Sequence, residues 1–178
     1  GEYIPFDKTF PALQRLAPTG VSITPGDPAA GTVRLPSGLV VGPLICFEDT
    51  VARMARDSVN QGARLLLNLS NDAWYAPSAQ AAQHARQAIL RCIETGVPMA
   101  RSTNGGLNAL IDPVGRLTPF PLEPGLSTLR VPLPEAPFAS LYLRFGDLVF
   151  GGPCALLALA LLLWFLLPRG LRPPRAAA

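Results

Sequence analysis

One stretch near the end of the 178-residue chain constrains its structure more than any other feature. Residues 148–167 read LVFGGPCALLALALLLWFLL and contain no charged side chain. A helix of that length rises about 30 Å, which matches the hydrocarbon core of a bilayer. The alternative is a helix buried in a protein core. Because Arg169, Arg172 and Arg175 follow the run, we favour a transmembrane helix, with residues 168–178 as an Arg- and Pro-rich tail.

The arginines after this run also predict its orientation. By the positive-inside rule the tail is cytoplasmic, and the chain before residue 148 lies on the other side of the membrane. In a bacterium this places a periplasmic domain at the inner membrane. Charged residues make up only 15% of the chain, against about 25% in typical soluble proteins, and the positive ones are scattered. We therefore expect no nucleic-acid partner.

The residues that usually bind metals are few in this chain. His84 is the only histidine, and the three cysteines, Cys46, Cys92 and Cys154, are widely spaced. They form neither a disulfide framework nor a zinc-ligand pattern. We expect no metal site and no organic cofactor.

The middle of the chain has the pattern of a β-α-β unit. Two apolar runs without alternation, at residues 39–46 and 65–70, are typical of strands buried on both faces. Between them, residues 51–61 carry apolar and small side chains at helical spacing. Asp49 or Thr50 can cap the start of this helix. The unit indicates an α/β fold with parallel strands.

The residues around this unit extend the same pattern. Residues 78–95 predict a long helix that Ser78 caps. The Asn-Gly pair at Asn104 indicates a hairpin between strands at 97–102 and 107–111. Further strands are predicted at residues 21–24 and 32–35, paired as a short hairpin, and at residues 116–120 and 127–132. Helices packed on strands of mixed direction predict a layered α/β sandwich.

Cys46 is the candidate nucleophile, because it ends the first apolar run just before a predicted helix. The N-terminus of a helix stabilises a thiolate, and Glu48 and Asp49 supply a nearby proton acceptor or orienting group. Such a set is a minimal site for acyl transfer, although a single cysteine at a strand end is more often an inert buried residue. A pairing of His84 with Cys46 is an alternative activation. The commoner role of such a histidine is on a helix surface or as an anchor for a loop.

Several motifs follow one another at characteristic spacing. They are I-C-F-E at residues 45–48, S-N-D-A-W at 70–74, A-x-x-R-x-x-E-x-G-x-P at 88–98 after His84, and R-S-T-N-G-G at 101–106. Together they resemble the apolipoprotein N-acyltransferase family of the carbon–nitrogen hydrolase (nitrilase) superfamily. Residues 1–6 look like the end of another motif of this family. The resemblance covers residues 1 to about 131 and the family's last membrane helix.

The resemblance implies a four-layer α-β-β-α sandwich, incomplete at its N-terminus, with residues 1–140 as part of the catalytic domain. It implies that a cysteine takes a fatty acyl group from a phospholipid as a thioester. The acyl group then passes to the N-terminal amine of a diacylglyceryl lipoprotein. By this resemblance Cys46 is the nucleophile, the Phe47 N–H is an oxyanion donor, and Glu48 and Glu2 are supporting carboxylates.

The resemblance also sets expectations for the rest of the site. The family's lysine and general-base glutamate would precede Gly1, so this chain alone is expected to be inactive or far weaker. Trp74 and Tyr75 are expected to line an acyl-chain groove or to dip into the bilayer surface, or else to be core residues. The expected partners are a phospholipid donor, an apolipoprotein acceptor and membrane lipid. Two alternatives remain: a membrane-tethered amidase or nitrilase, and a non-catalytic fragment.

Overall fold

A mixed six-stranded β-sheet organises the protein. The computed structural model describes residues 9–12, 26–27, 31–75, 77–120, 130–136 and 140–166. In these residues the strands follow one another across the sheet in chain order. They are β1 (Val33–Arg34), β2 (Val40–Ile45), β3 (Leu65–Asn71), β4 (Met99–Asn104), β5 (Ala109–Ile111) and β6 (Leu117–Pro119).

The structure confirms the parallel β-α-β unit predicted for residues 39–70, and β4 extends the parallel arrangement by one strand. Strands β2, β3 and β4 are parallel, with Val41 opposite Leu65 and Leu66 opposite Met99. Helix α1 (Ala52–Asn60) connects the first pair and helix α2 (Gln80–Thr95) connects the second. The other pairings, of β1 with β2, β4 with β5 and β5 with β6, are antiparallel.

Strands β2 and β3 each end in a short 3-10 helix before the connecting α-helix begins. The first, Cys46–Thr50, follows β2, and the second, Asp72–Tyr75, follows β3. We call them the cysteine turn and the tryptophan turn. Because parallel strands have their carboxyl ends at one edge of the sheet, the two turns lie at that same edge. This edge carries the candidate site.

The core lies between one face of the sheet and helices α1 and α2. Its members are small or aliphatic and come from both helices and from the sheet: Val40, Leu44, Ala55, Val59, Ala63, Leu66, Ala88, Cys92, Val97, Met99 and Ile111. The opposite face is more open, since Ile45 and Leu69 are 43% and 49% exposed. The described residues therefore form one helical layer and one sheet layer. They do not include the second half of a four-layer sandwich.

The starts of the two helices differ from the predicted caps. Val51, not Asp49 or Thr50, is the N-cap residue of α1, and no side chain bonds there. The Asp49 carboxylate instead points into the protein interior, where it is fully buried. At α2 the N-cap residue is Ala79, although the Ser78 hydroxyl accepts the Gln80 N–H at 3.2 Å.

Two predicted outer strands differ from the structure. The strand predicted at 32–35 is present as β1, but its described partner is β2, with Val33 opposite Val41. Its predicted partner, residues 21–24, lies outside the described residues. For the strand predicted at 127–132, residues 127–129 are also outside, and residues 130–132 form no strand.

The apolar run forms a helix that stands apart from the core. Helix α4 (Leu148–Leu166) contains no buried residue. Among the described residues it is the one helix long and apolar enough to cross a membrane, judged by length and composition. Leu167 and the predicted tail at 168–178 lie outside the described residues.

Helix α4 is joined to the α/β unit through the short helix α3 (Leu141–Phe145). Arg56 of α1 holds the end of α3. Its Nε donates to the carbonyls of Tyr142 and Leu143 at 3.1 and 3.0 Å, and its Nη2 donates to the carbonyl of Arg144 at 3.2 Å. A guanidinium is well suited to this role because it presents several donors to the carbonyls at a helix end.

Candidate active site

Cys46 stands at the sharp bend between β2 and the cysteine turn. Its φ of 55° is in the left-handed region, and no other non-glycine residue of the described chain has a positive φ. For a residue with a Cβ this backbone conformation costs about 1–2 kcal/mol. Such strain persists only where the surrounding structure holds it, and it is common at functional sites. The side chain is partly exposed at the sheet edge.

Side-chain hydrogen bonds hold the backbone on both sides of this bend. The carboxylate of Glu48 accepts the Ile45 N–H at 2.7 Å. The amide of Asn68 donates to the carbonyls of Leu44 and Cys46 at 3.2 and 3.0 Å. Glu48 therefore orients the cysteine turn, which is one of the two roles that the sequence left open for it.

Beneath the two turns lies a group of four ionisable side chains, Asp49, Asp72, His84 and Arg101, which we call the buried charge cluster. All four are buried, with exposed fractions of 0 or 1%. The imidazole Nε2 of His84 lies 2.7 Å from Asp49 Oδ1, and its Nδ1 lies 3.1 Å from Asp72 Oδ1. Arg101 forms ion pairs with both carboxylates, through Nη1 to Asp49 and through Nη2 to Asp72 at 2.9 Å.

The ionisation of the cluster follows from these contacts. Burial opposes the charged form of Asp72, but the hydrogen bond from Ser70 and the charges of Arg101 and His84 hold the pKa of this carboxyl below its ordinary value. Burial likewise opposes a charged His84. The hydrogen bond and charge of Asp49, helped by Asp72, outweigh burial and the Arg101 charge, and they raise the pKa of His84 above its ordinary value.

The cluster is connected to the cysteine turn at several points. Asp49 is itself part of that turn, and Arg101 Nη1 donates at 2.9 Å to Asn68 Oδ1. Asn68 in turn donates to the Cys46 carbonyl. From α2, Arg91 donates to the Thr50 carbonyl at 2.8 Å and pairs with Glu94. The backbone around Cys46 is thus fixed by buried polar groups from three different elements.

Aromatic side chains surround the site on the side of the tryptophan turn. The Phe47 ring stacks on the His84 imidazole, with centroids 4.6 Å apart. It also contacts the Tyr75 ring, edge to face at 5.8 Å. Trp74 is 81% exposed, so the interpretation of Trp74 as a core residue is wrong. Tyr75 is partly buried.

The hairpin after β4 packs directly on the tryptophan turn, and this close approach needs its two glycines. Gly105 has a φ of +70°, and a Cβ there would lie 2.7 Å from Ala73 Cα. A Cβ on Gly106 would lie 2.7 Å from Asp72 Cβ and from Thr103 Oγ1. The Asn-Gly-Gly sequence therefore does more than form a turn, because it also lets the hairpin contact the residue that binds His84 and Arg101.

Of the predicted site residues, the structure brings together Cys46, Phe47, Glu48 and Tyr75 at one edge of the sheet. Glu2 lies outside the described residues. The alternative pairing of His84 with Cys46 is not seen, because both ring nitrogens contact the carboxylates of the cluster. His84 is a buried residue that anchors the two turns, not a residue of the helix surface.

Sequence reasoning gave no role in the site to Asn68 or Arg101. The available signal was a polar residue inside an apolar strand and an arginine inside a predicted strand, both of which need buried partners. Within the described part of the chain, no group of three or more His, Cys, Asp or Glu residues is arranged to hold a metal ion.

The sequence is similar to a known protein family and to named proteins of several bacteria. The family model for carbon–nitrogen hydrolase matches residues 8–133. The apolipoprotein N-acyltransferase of Geobacter metallireducens is 35% identical over 158 residues, which cover 86% of this chain and 29% of the relative. That of Bradyrhizobium diazoefficiens is 37% identical over 169 residues, covering 92% and 30%. The chain thus spans less than a third of the length of these curated relatives.

Comparison with solved structures agrees on the fold. A glutamate-to-glutamine mutant of the amidase from Nesterenkonia sp. AN1, in which acrylamide has added to the active-site cysteine, matches with a TM-score of 0.52 at 20% identity. The match covers 75% of this chain and 52% of the amidase. At this level of identity the likeness shows a common α/β fold.

Proposed function

The chain belongs to the carbon–nitrogen hydrolase family, and from that premise we propose that it carries the acylated cysteine of an apolipoprotein N-acyltransferase. The observation that carries the proposal is Cys46 itself, strained and partly exposed at the carboxyl end of β2. It lies in a chain whose relatives of that name are 34–39% identical to it. The activity, substrates and partners that follow are part of the proposal.

The proposed reaction has two steps with a thioester between them. In the first, the Cys46 thiolate attacks the ester carbonyl of a phospholipid, a C–S bond forms, and the ester C–O bond breaks. The departing lysophospholipid alkoxide takes up the proton that the thiol gave up. In the second, the N-terminal amine of a diacylglyceryl lipoprotein attacks the thioester, a C–N bond forms, the C–S bond breaks, and the amine proton returns to the sulfur. Ping-pong kinetics follow from this sequence.

The residues around Cys46 have proposed roles in both steps. The Phe47 N–H, the first after the nucleophile, is proposed to donate to the tetrahedral oxyanion. Glu48 keeps the turn in shape through the Ile45 N–H. Tyr75 is proposed to line a groove for the acyl chain, and the exposed Trp74 to contact lipid, since an indole suits the membrane interface. Glu2 is proposed as a further supporting carboxylate.

The apolar helix indicates where in the cell the proposed reaction takes place. We propose that residues 1–140 form part of the catalytic domain, residues 148–167 span the membrane, and residues 168–178 are cytoplasmic. The catalytic domain would then face the periplasm of a bacterial inner membrane. Both the acyl donor and the acceptor are lipids, so a site held at the bilayer surface meets them at a high effective concentration.

The test is to look for the thioester in the intact protein, by which we mean the protein as its gene encodes it, because residues 1–178 alone are expected to be inactive or far weaker. The protein is incubated with vesicles that contain a diacyl phospholipid with labelled acyl chains, and Cys46 is examined by mass spectrometry of the peptide that contains it. We expect one acyl chain on Cys46, one equivalent of lysophospholipid, and loss of the label on addition of a diacylglyceryl peptide with a free amine. Cys46→Ser should carry no thioester, whereas Cys154→Ser, a change at an exposed residue of α4, should behave as wild type.

Two results would contradict the proposal. One is lipoprotein N-acylation by the Cys46→Ser protein at the wild-type rate. The other is a wild-type protein that hydrolyses a small amide, releasing acid and amine, while Cys46 takes no acyl group from phospholipid. The second result would favour the amidase or nitrilase alternative.

A further inference from the structure

We propose that His84, in its protonated form, is a positioning residue for the acylation of Cys46. It ties the cysteine turn to the tryptophan turn and supports the Phe47 ring beside the nucleophile. The inference rests on the proposed function, because it concerns the rate at which Cys46 is acylated. His84 need not touch the substrate to act in this way.

His84 contacts both turns through its ring nitrogens. His84 lies on α2, yet its two ring nitrogens reach one carboxylate in each turn: Asp49 at 2.7 Å and Asp72 at 3.1 Å. A single imidazolium can donate to both, because both nitrogens then carry hydrogen. A neutral imidazole has one N–H and can donate to only one of them. Only the charged form therefore joins the two turns by hydrogen bonds.

The charge balance of the cluster also favours a protonated His84. The charged groups that face His84 are Asp49 from the cysteine turn, Asp72 from the tryptophan turn and Arg101 from β4. On its own helix, Arg91 faces the same turn but pairs with Glu94. With His84 neutral, two carboxylates face one guanidinium, and a net negative charge is buried. With His84 charged, the four groups are balanced, which is the arrangement that a buried cluster favours.

Loss of the proton would change the hydrogen-bond partner of His84 Nδ1. Arg101 Nη2 lies 2.9 Å from His84 Nδ1, as near as it lies to Asp72 Oδ2. When Nδ1 carries no hydrogen it can accept from Arg101, and the bond to Asp72 is lost. Deprotonation therefore replaces the hydrogen bond from His84 to Asp72, which helps to join the two turns, by a hydrogen bond from Arg101 of β4. Against burial and the Arg101 charge, the carboxylates of Asp49 and Asp72 raise the pKa of His84, so the direction of the shift is the one that the charge balance favours.

The consequence for catalysis passes through Phe47. Its ring lies on the His84 imidazole at 4.6 Å and against Tyr75 at 5.8 Å, while its N–H is the proposed oxyanion donor. A shift of the imidazole would move this ring and the turn that carries the donor. Misplacement by about 1 Å costs up to about a hundredfold in rate even when the change lies away from the reacting atoms.

The experiment measures the pH dependence of thioester formation on Cys46 in the intact protein, in single turnovers with labelled phospholipid vesicles. For the wild type we expect a rate that falls at high pH as His84 loses its proton. His84→Gln cannot be charged, so its rate should be lower by about tenfold to a hundredfold and this fall should be absent. In Asp72→Asn the cluster has no net charge when His84 is neutral, so His84 should lose its proton more easily. The fall in acylation rate should then move to lower pH. Gln87→Ala, at an exposed position of α2, is the matched control and should leave the profile unchanged.

An NMR titration of the His84 imidazole in the wild type, assigned by its absence from the His84→Gln spectrum or by its shift in the Asp72→Asn spectrum, completes the test. A folded His84→Gln protein with the wild-type rate and profile would overturn the inference. So would an Asp72→Asn profile that does not move, which decides the matter if His84→Gln fails to fold. If the wild type forms no thioester at any pH, the proposed function fails. The NMR titration then tests the inference independently, by reporting whether His84 is protonated. A neutral imidazole at pH 6 would overturn the inference.

Discussion

Replacement of Arg101 by methionine is the sharpest test of the buried charge cluster. The guanidinium is fully buried and forms ion pairs with Asp49 and Asp72. It also donates at 2.9 Å to Asn68, which holds the Cys46 carbonyl. Methionine has a similar length and no charge, so the change removes these bonds while it keeps much of the volume. Two buried carboxylates then face His84 alone.

The expected loss of stability follows from those contacts. Removal of one partner from a buried ion pair costs about 3–5 kcal/mol, because the remaining charge stays buried without compensation. For a domain of this size each kcal/mol lowers Tm by about 2–4 °C, so Arg101→Met should melt between about 6 and 20 °C below wild type. A shift near the upper end would put folding at 37 °C in question for a marginally stable domain.

The loss should also depend on pH, and its sign can be worked out. In the wild type the pKa of Asp72 is lowered, so its contribution to stability is present above the ordinary carboxyl pKa and is lost as pH falls through the folded value. Without Arg101, binding of a proton to a buried carboxylate stabilises the folded variant, because it removes an uncompensated negative charge. The difference in Tm between wild type and Arg101→Met should therefore be largest at neutral pH and shrink as pH approaches about 4.

The assay is thermal unfolding of the intact protein in one detergent at a fixed scan rate, with wild type and variants side by side. Arg86→Met, at an exposed position of α2, is the matched control, and it should change the free energy of unfolding by less than about 0.5 kcal/mol. If Arg101→Met melts no lower than Arg86→Met, or if its deficit does not shrink in acid, the account of the cluster is refuted.

Three further changes test other contacts. Gly106→Ala places a methyl group against Asp72, so we expect a loss of about 1–3 kcal/mol, seen as a lower Tm, and no loss would contradict the close packing of the hairpin. Arg56→Gln removes the donors that hold the end of α3, so amide hydrogen exchange over residues 140–147 should rise, while Arg53→Gln, at an exposed position of the same helix, should leave it unchanged. Trp74→Ala should change the free energy of unfolding by no more than a typical surface substitution, about 0.5 kcal/mol, so Tm should barely move. It should lower the rate of acylation from vesicles more than the rate from dispersed short-chain donors. Equal effects on both rates would contradict a role at the lipid surface.

The parts of the fold that could be predicted from sequence were those that depend on local pattern. The runs at 39–46 and 65–70 are apolar because their strands are central, and the structure has them as β2 and β3. Gly96 ends α2 with a φ of 67°, as a glycine after a helix usually does. These features need only nearest neighbours along the chain, so periodicity and turn residues are sufficient to find them.

The parts that could not be predicted depend on contacts between distant segments. Either Asp49 or Thr50 was expected to cap α1, because such a side chain before a helix commonly does so. The position of Asp49 shows what that reasoning missed. In the structure its partners are His84 and Arg101, which lie 35 and 52 residues further along the chain. Three-dimensional proximity of this kind leaves no trace in local spacing. The resemblance placed these residues in motifs, but it did not tell which of them bond to one another.

The strained backbone conformation of Cys46 depends on the buried charge cluster. A left-handed backbone at a residue with a Cβ is unfavourable by about 1–2 kcal/mol, so the bend after β2 would relax if nothing held it. The groups that hold it, Glu48 on one side and Asn68 on the other, cannot themselves be loose. Asn68 is fixed by Arg101, and Arg101 is fixed by carboxylates that come from both turns. It follows that a change in the cluster should appear first as a change in Cys46 reactivity, before the α/β unit unfolds.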